Sequence, residues 1–230
     1  MKKSLTETVL EKIKYQILSG EYEVGEKLPT LRELCEIFDV SRSVINSVVV
    51  DLETNGYIKI VPTKWIEVAD WKNESNFAIL ADLVSFGLLD SKQLDDILAA
   101  RKYLELECVR QACTHATEGD KGRLQALLVE EGIELDPQKR AAFDLQFHYL
   151  ICKMSGNIVY GIVMQAFENS AYPLIVRFYE DREVYEFVMK KHGLITKAIL
   201  DKNVTEAEKQ LRLLLEHGEK IIRKLTKGGV

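Results

Sequence analysis

Four side chains in the second half of the chain have the types and the helical spacing expected of metal ligands. Asp144 and His148 lie four positions apart in the segment FDLQFH, which places both on one face of a helix. His192 and His217 follow in two later helical segments. A carboxylate and imidazoles that converge in a bundle interior can bind Zn, Ni or Mn. The same spacing is also typical of solvated or core histidines, so the pattern alone leaves both interpretations open.

The chain from Phe77 onward has the periodicity of a helical bundle that could position these side chains. Apolar residues recur at helical intervals without strand-like alternation, so we expect about six or seven helices. A helix that starts at Val159 should stop at Pro173, because proline removes a backbone hydrogen bond from a helix. Thr205 and Glu208 form a capping box that predicts the start of the last helix.

A stretch near the N-terminus, Leu28 to Gly56, has the pattern of a helix-turn-helix. Apolar residues recur at helical spacing over 31–38 and again over 44–52. Ser41 is a suitable N-cap between the two stripes, and Asn55-Gly56 ends the second one. Two helices around a short turn form a DNA-binding motif whose second helix lies in the major groove. A generic helical hairpin would show the same periodicity.

The residues that follow favour the DNA-binding interpretation. Residues 57–61 and 65–68 each alternate between the two faces of a strand, and Pro62-Thr63-Lys64 between them is typical of a turn. A hairpin directly after a helix-turn-helix predicts a winged helix.

The segment from Thr6 to Ile58 resembles the winged-helix DNA-binding domain of GntR-family bacterial regulators. The matching signs are ILSGEYEVGEKLP before the helix-turn-helix, REL in its first helix, VSRS at the turn and LETNGYI at the end. The resemblance implies DNA contacts from four residues: Arg32, Ser41, Arg42 and Ser43. Arginine offers a planar fork to phosphate or to guanine O6 and N7, and serine hydrogen-bonds phosphate. By itself, Arg32 is also typical of a solvated helix charge.

Two positions depart from the pattern of that family. Asn46 stands where the family usually has an arginine, and residues 61–64 replace a wing tip that usually carries a glycine. Asparagine can pair with adenine N6 and N7, so Asn46 is predicted either to read a different base or to be a surface residue without a contact. Lys64 is expected to reach a minor-groove phosphate.

The helical part of the chain resembles the ligand-binding domain of the FadR-like branch of this family. The resemblance is carried by RKYLE, DLQFH, MSGN and His192. It implies that Asp144, His148, His192 and His217 bind a divalent metal, which in turn holds a carboxylate effector. It also implies that Arg101 faces the effector cavity, where a guanidinium suits a carboxylate.

The position of His217 departs from this pattern. His192 and His217 are 25 residues apart (217 − 192), about two more than usual, and two residues rotate a helical side chain by roughly 200°. Either the turn at Asn203-Val204 absorbs the difference, or the metal site is incomplete. The second alternative implies a metal-free regulator that responds to acyl-CoA. A metal-dependent enzyme is a third alternative, but no general base or nucleophile accompanies the cluster.

The composition is that of a soluble protein with enough apolar residues for hydrophobic cores. No apolar run in the sequence is long enough to form a membrane-spanning helix. The net charge is −5, and residues 1–70 carry nine Lys and Arg against twelve Asp and Glu. DNA binding must therefore depend on a few cations on one face. The cysteines show no CxxC spacing, which predicts buried thiols in a reducing cytoplasm.

Together these patterns predict a mainly α protein with two domains. We expect a winged helix-turn-helix with a small β wing over 1–70, a linker over 71–76 and an all-α bundle over 77–230. The predicted function is that of a cytoplasmic, homodimeric transcriptional regulator rather than an enzyme. Its predicted partners are a double-stranded DNA operator and a small-molecule effector.

Overall fold

The structure is a computed structural model that describes residues 3–62, 64–74, 77–132 and 136–227. It divides into two compact units, Met1–Leu88 and Leu89–Val230. The expected fold class is confirmed, because unit 1 carries a helix-turn-helix with a two-stranded wing and unit 2 is built of helices. Thr63 in the predicted wing turn and Ser75-Asn76 in the predicted linker lie outside the described residues.

Unit 1 folds around the apolar faces of its first helices and the wing. Its elements are α1 (Leu5–Ser19), α2 (Leu31–Phe38), α3 (Arg42–Thr54), β1 (Ile58–Val61), β2 (Trp65–Val68), α4 (Trp71–Glu74) and α5 (Phe77–Ser85). Helix α4 lies in the stretch that we predicted to be a linker. The side chains of Ile13, Ile45, Val48 and Tyr57 are among the fully buried ones, so α1, α3 and the start of the wing share one core.

Local signals in the sequence shape the helix-turn-helix. The hydroxyl of Thr30 accepts a hydrogen bond from the N–H of Glu33, whose carboxylate accepts one from the N–H of Thr30. Asp39 ends α2 in the left-handed conformation, at φ 50°, which turns the chain sharply toward α3. Ser41 is the N-cap residue of α3, as predicted, but its hydroxyl contacts the hydroxyl of Ser43 at 2.8 Å.

The wing is an antiparallel pair of strands that is fixed to the loop before α2. Its register pairs Ile58 with Val68 and Val61 with Trp65. The N–H of Leu28 donates to the carbonyl of Ile66 at 3.0 Å, and the N–H of Val68 donates to the carbonyl of Glu26 at 2.9 Å. The loop at 26–28 therefore extends the sheet on its free side, a pairing that the sequence pattern did not predict.

Helix α5 belongs to unit 1, whereas we assigned it to the second domain. Buried Tyr57 donates a hydrogen bond to the carboxylate of Asp82 on α5, and Lys14 Nζ on α1 lies 3.1 Å from that carboxylate. Burial and the neighbouring Asp82 raise the pKa of Tyr57. The two units consequently divide after Leu88. These contacts join residues that are far apart in the sequence, so local patterns did not indicate that α5 packs within unit 1.

Unit 2 is a bundle whose central helix is α8. Its elements are α6 (Ser91–His115), α7 (Glu118–Glu131), α8 (Pro137–Met154), α9 (Ile158–Phe178), α10 (Arg182–Leu200) and α11 (Val204–Lys227). Helix α8 packs against α6, α7 and α9, and Phe147 and Ile151 on it are fully buried. Among the helices of the described residues, none combines the length and the apolar character needed to cross a membrane.

Two predicted helix boundaries in unit 2 were wrong. Helix α9 continues through Pro173, because its buried side chains, such as Met164 and Ile175, hold both halves against the bundle despite one missing backbone hydrogen bond. Helix α11 begins at Val204 rather than after Thr205. The reason is that the Asn203 side chain accepts a hydrogen bond from the N–H of Glu206 at 3.1 Å and so acts as the cap.

Candidate functional site

Three of the four predicted metal ligands lie together in the core of unit 2. Asp144 and His148 are one turn apart on α8, and His192 comes from α10. Each offers one ligand atom, and these atoms all lie within 4.8 Å of one another. All three side chains are buried, so their polar atoms must find partners inside the protein.

The two imidazoles present the same nitrogen to the same carboxylate oxygen. His148 Nε2 lies 3.6 Å and His192 Nε2 lies 3.5 Å from Asp144 Oδ1. His192 Nε2 is buried, yet it makes no hydrogen bond within the described part of the chain. A buried imidazole nitrogen that points at a carboxylate without bonding it is well suited to bind a cation between the two. The donor set therefore fits a divalent metal.

A buried glutamate contacts the Nδ1 atom of each imidazole. His148 Nδ1 bonds Glu105 on α6, and His192 Nδ1 lies 3.0 and 3.1 Å from the two carboxylate oxygens of Glu131 on α7. Because a carboxylate only accepts, each Nδ1 carries the proton and each Nε2 is left as a potential ligand. Carboxylate-backed histidines of this kind are typical of metal sites, where the outer carboxylate fixes the ring and increases its basicity.

The buried charges strongly perturb the pKa values of this group. Burial alone would raise the pKa of Asp144, but the charges of His148 and His192 hold it well below its usual range. Burial would lower the pKa of His148, but Glu105 and Asp144 raise it to about 10. The pKa of His192 is also raised, by Glu131 and Asp144 against the effect of burial. Protons and a metal cation therefore compete for the same nitrogen atoms.

Three residues to which the sequence pattern assigned no role complete the surroundings of this group, although one of them, Glu105, lies in the RKYLE motif. Glu105 and Glu131 hold the imidazoles, and the hydroxyl of Tyr179 donates to Asp144 Oδ1 at 2.8 Å. One signal was available for Glu131, because it continues the buried stripe of Leu124 and Leu127 on α7. A carboxylate at a core position of a helix requires a buried partner.

The structure does not bring His217 to this group. Its ring stacks on Phe187 at a centroid distance of 4.0 Å, and its Nε2 is buried without a hydrogen bond to any described residue. Burial lowers the pKa of His217, which favours the neutral ring. Leu214 and Leu215 on the same helix instead line the cavity beside Asp144. The turn at 201–203 therefore does not compensate for the longer spacing between His192 and His217.

Arg101 lies at a cavity beside the group of Asp144, His148 and His192. Its Nε donates to Glu105 at 2.5 Å, and it lines the cavity together with Asp144 and His148. The guanidinium charge helps to keep the pKa of Glu105 low, against the effect of burial. One chain of contacts thus links the partly buried Arg101 to the buried Glu105 and His148.

In unit 1, the candidate DNA-binding residues of α3 share one exposed face. The exposed residues of this helix are Arg42, Ser43, Asn46, Ser47, Val50, Glu53 and Thr54, and Ser41 before it is also exposed. The opposite face is buried in the core of the unit. The structure therefore leaves the N-terminal half of α3 open to a groove of DNA.

Arg32 precedes α3 in the sequence and Lys64 follows it. Both side chains are exposed. Arg32 Nε lies 3.1 Å from Glu36, and both side chains are largely exposed. Because such surface pairs contribute little free energy, about 0–1 kcal/mol, phosphate can replace the glutamate as partner. Lys64 lies in the wing turn with its Nζ 5.5 Å from the ring centre of Trp65.

A winged helix in one unit and a buried group of Asp144, His148 and His192 beside a cavity in the other are features expected of a ligand-responsive DNA-binding regulator. Comparison with known families agrees with this class. The FCD domain family matches residues 96–217, more than half of the chain, and the family described as bacterial regulatory proteins, gntR family, matches residues 5–68. The chain belongs to the gntR-family regulators that carry an FCD domain, which confirms the resemblance seen in the sequence.

Similar proteins of known role are transcriptional regulators. The chain is 27% identical over 202 residues to the fatty acid metabolism regulator protein of Shewanella frigidimarina, covering 85% of this chain and 81% of the relative. It is 27% identical over 221 residues to the Glc operon transcriptional activator of Escherichia coli, covering 92% and 86%. This chain is likewise a transcriptional regulator, and the relatives give no support to the enzyme alternative.

Solved structures show the same fold at low sequence identity. Lar of Listeria monocytogenes, which controls expression of the agr system, superposes with a TM-score of 0.71 at 15% identity, covering 98% of this chain and 99% of that one. McbR/YncC of E. coli gives a TM-score of 0.53 at 19% identity, covering 97% and 99%.

Proposed function

We propose that this chain is a homodimeric transcriptional regulator whose effector is a carboxylate received at a divalent metal. Asp144, His148 and His192 would hold the metal, and the bound cation would attract and coordinate the effector carboxylate. The observation that carries the proposal is the buried convergence of two imidazole Nε2 atoms on one carboxylate, each imidazole backed by a glutamate. Zn, Ni and Mn all accept this donor set.

Asp144, His148 and His192 would hold a metal with three protein ligands, so the metal could take a further ligand from the cavity beside Asp144 and His148. His217 is not part of the proposed set, because its ring lies against Phe187. Leucines line the cavity where the spacing of the family places the last histidine. Arg101 lies at the same cavity, and a guanidinium there favours an anionic ligand.

DNA binding is proposed for the exposed face of α3 and its neighbours. In a dimer, each α3 would enter the major groove of one half-site, with Ser41, Arg42 and Ser43 at its start and Asn46 one turn further. Arg32 would bind phosphate, and Lys64 would reach a phosphate from the wing. Effector binding would change operator affinity if the conformation that binds DNA and the conformation that does not differ in their affinity for the effector.

A metal-free regulator that responds to acyl-CoA is the alternative proposal. The relative from Shewanella frigidimarina, a fatty acid metabolism regulator, and the position of His217 favour it. The carboxylate-backed histidines do not, because a metal-free ligand has no need of two buried Nε2 atoms directed at one carboxylate. Elemental analysis of the purified protein distinguishes the two proposals.

The proposed function is tested by selecting DNA sites from a random pool and measuring affinity by fluorescence anisotropy. We expect a two-fold symmetric site and a 2:1 complex by analytical ultracentrifugation. Arg42→Ala should weaken binding by about tenfold or more, whereas Arg182→Ala, an exposed arginine on α10, should not change it. Selection of no symmetric site, or equal affinity of the two variants, would contradict the proposal.

A further inference from the structure

The cavity beside the metal-ligand group is apolar over most of its surface. It has a volume of about 50 Å³ and is partly open to solvent. Asp144, His148 and Arg101 lie at its polar side. The remaining surface is formed largely by side chains from α6, α9, α10 and α11, among them Leu98, Ile175, Phe178, Val188, Leu214 and Leu215.

The described residues at this cavity offer a ligand few uncharged hydrogen-bonding groups. Among the described residues that line the cavity, no serine, threonine, asparagine, glutamine or tyrosine side chain occurs. Lys102 and Glu219 also line it, but they pair with each other at 3.0 Å. A ligand hydroxyl placed against the apolar wall would lose its hydrogen bonds to water without replacement, which weakens binding.

From this surface we infer that the effector is a monocarboxylate with an aliphatic tail and no hydroxyl groups along it. The inference rests on the proposed function, because the carboxylate would be held at the metal and near Arg101. The tail would then lie against Leu98, Val188 and Leu214. A hydroxylated acid of the same length would match the polar side of the cavity but not its apolar wall.

The inference is tested by isothermal titration of the Zn-loaded protein with acetate, butyrate, hexanoate and gluconate. Each added methylene that is buried should raise affinity by about fourfold, until the apolar wall is covered. Gluconate has the chain length of hexanoate, but each of its carbons apart from the carboxylate carbon carries a hydroxyl. It should bind at least about tenfold more weakly than hexanoate.

Two variants locate the tail. Leu214→Ala should weaken hexanoate binding by about tenfold or more while acetate binding stays unchanged, because acetate has no tail. Leu213→Ala, at an exposed leucine next to it, should affect neither ligand. Val188→Ala replaces Leu214→Ala if the latter does not fold, as judged by circular dichroism.

The outcomes separate this inference from the proposed function. If acetate binds and hexanoate binds no tighter, or if gluconate binds better than hexanoate, the tail inference is overturned and the metal site stands. If the protein takes up no Zn, the proposed metal site is contradicted, and the inference about the tail is overturned with it. Tight binding of hexanoyl-CoA to metal-free protein, without binding of hexanoate, would overturn both.

Discussion

Replacing Glu131 by glutamine should weaken metal binding although Glu131 is not itself a proposed ligand. Both of its carboxylate oxygens lie near His192 Nδ1, at 3.0 and 3.1 Å, and the side chain is fully buried. Glutamine keeps the shape but removes the charge that orients the ring and increases the basicity of Nε2. Loss of such an outer carboxylate typically costs tenfold to 100-fold in metal affinity, or about 1.4–2.7 kcal/mol.

The affinity is measured by competition with a chromophoric chelator after the protein has been freed of metal. Glu130→Gln is the matched control, because it makes the same change at an exposed neighbour on the same helix. Circular dichroism verifies that both variants are folded. If folded Glu131→Gln binds metal within about twofold of Glu130→Gln, the carboxylate does not support the metal site and our reasoning about His192 is refuted.

Three further predictions concern pH, the contact between α5 and the winged helix, and DNA. Because the pKa of His148 is raised to about 10, metal binding at neutral pH must release its proton, so apparent metal affinity should rise about tenfold per pH unit for each proton released. Asp82→Ala leaves the buried Tyr57 hydroxyl without its acceptor and should lower stability by about 1–3 kcal/mol, measured by urea unfolding. Arg42→Ala should reduce the slope of log affinity against log salt by about one, measured on the selected site.

Each of these predictions has a control and an outcome that contradicts it. The pH experiment uses calcein or another chelator whose own titration is subtracted, and a metal affinity independent of pH would contradict the raised pKa. Asp96→Ala, at an exposed surface pair with Lys92, should change stability by less than about 1 kcal/mol; equal effects of the two alanine variants would argue against the buried contact. An unchanged salt slope would place Arg42 away from the phosphates.

The elements that the sequence predicted well are those specified by neighbouring residues. The boundaries of α1 and of the helix-turn-helix follow from caps and apolar stripes within a few positions, and the wing follows from strand alternation. Asp144 and His148 could be paired from the sequence because four positions on a helix place two side chains side by side. Residue type made His192 a candidate ligand, and the family resemblance supported its place in the same set.

The parts that the sequence did not predict depend on contacts across the fold. The bond between His192 and Glu131 spans 61 positions, and the one between Tyr57 and Asp82 spans 25. No local periodicity encodes which helix faces meet. The stripe of Leu124 and Leu127 indicates that Glu131 is buried, but spacing identifies neither its partner His192 nor the packing of α5. His217 illustrates the same point, since its distance along the chain did not determine whether it reaches Asp144.

The most direct test of the account is the metal content of purified, tag-free protein, measured by mass spectrometry for the wild type, His192→Ala and His217→Ala. Three ligands without His217 predict about one metal ion per chain in the wild type and in His217→Ala, and loss of the metal in His192→Ala. Wild-type protein without metal even after loading, or equal loss of metal in both variants, would contradict the proposed site.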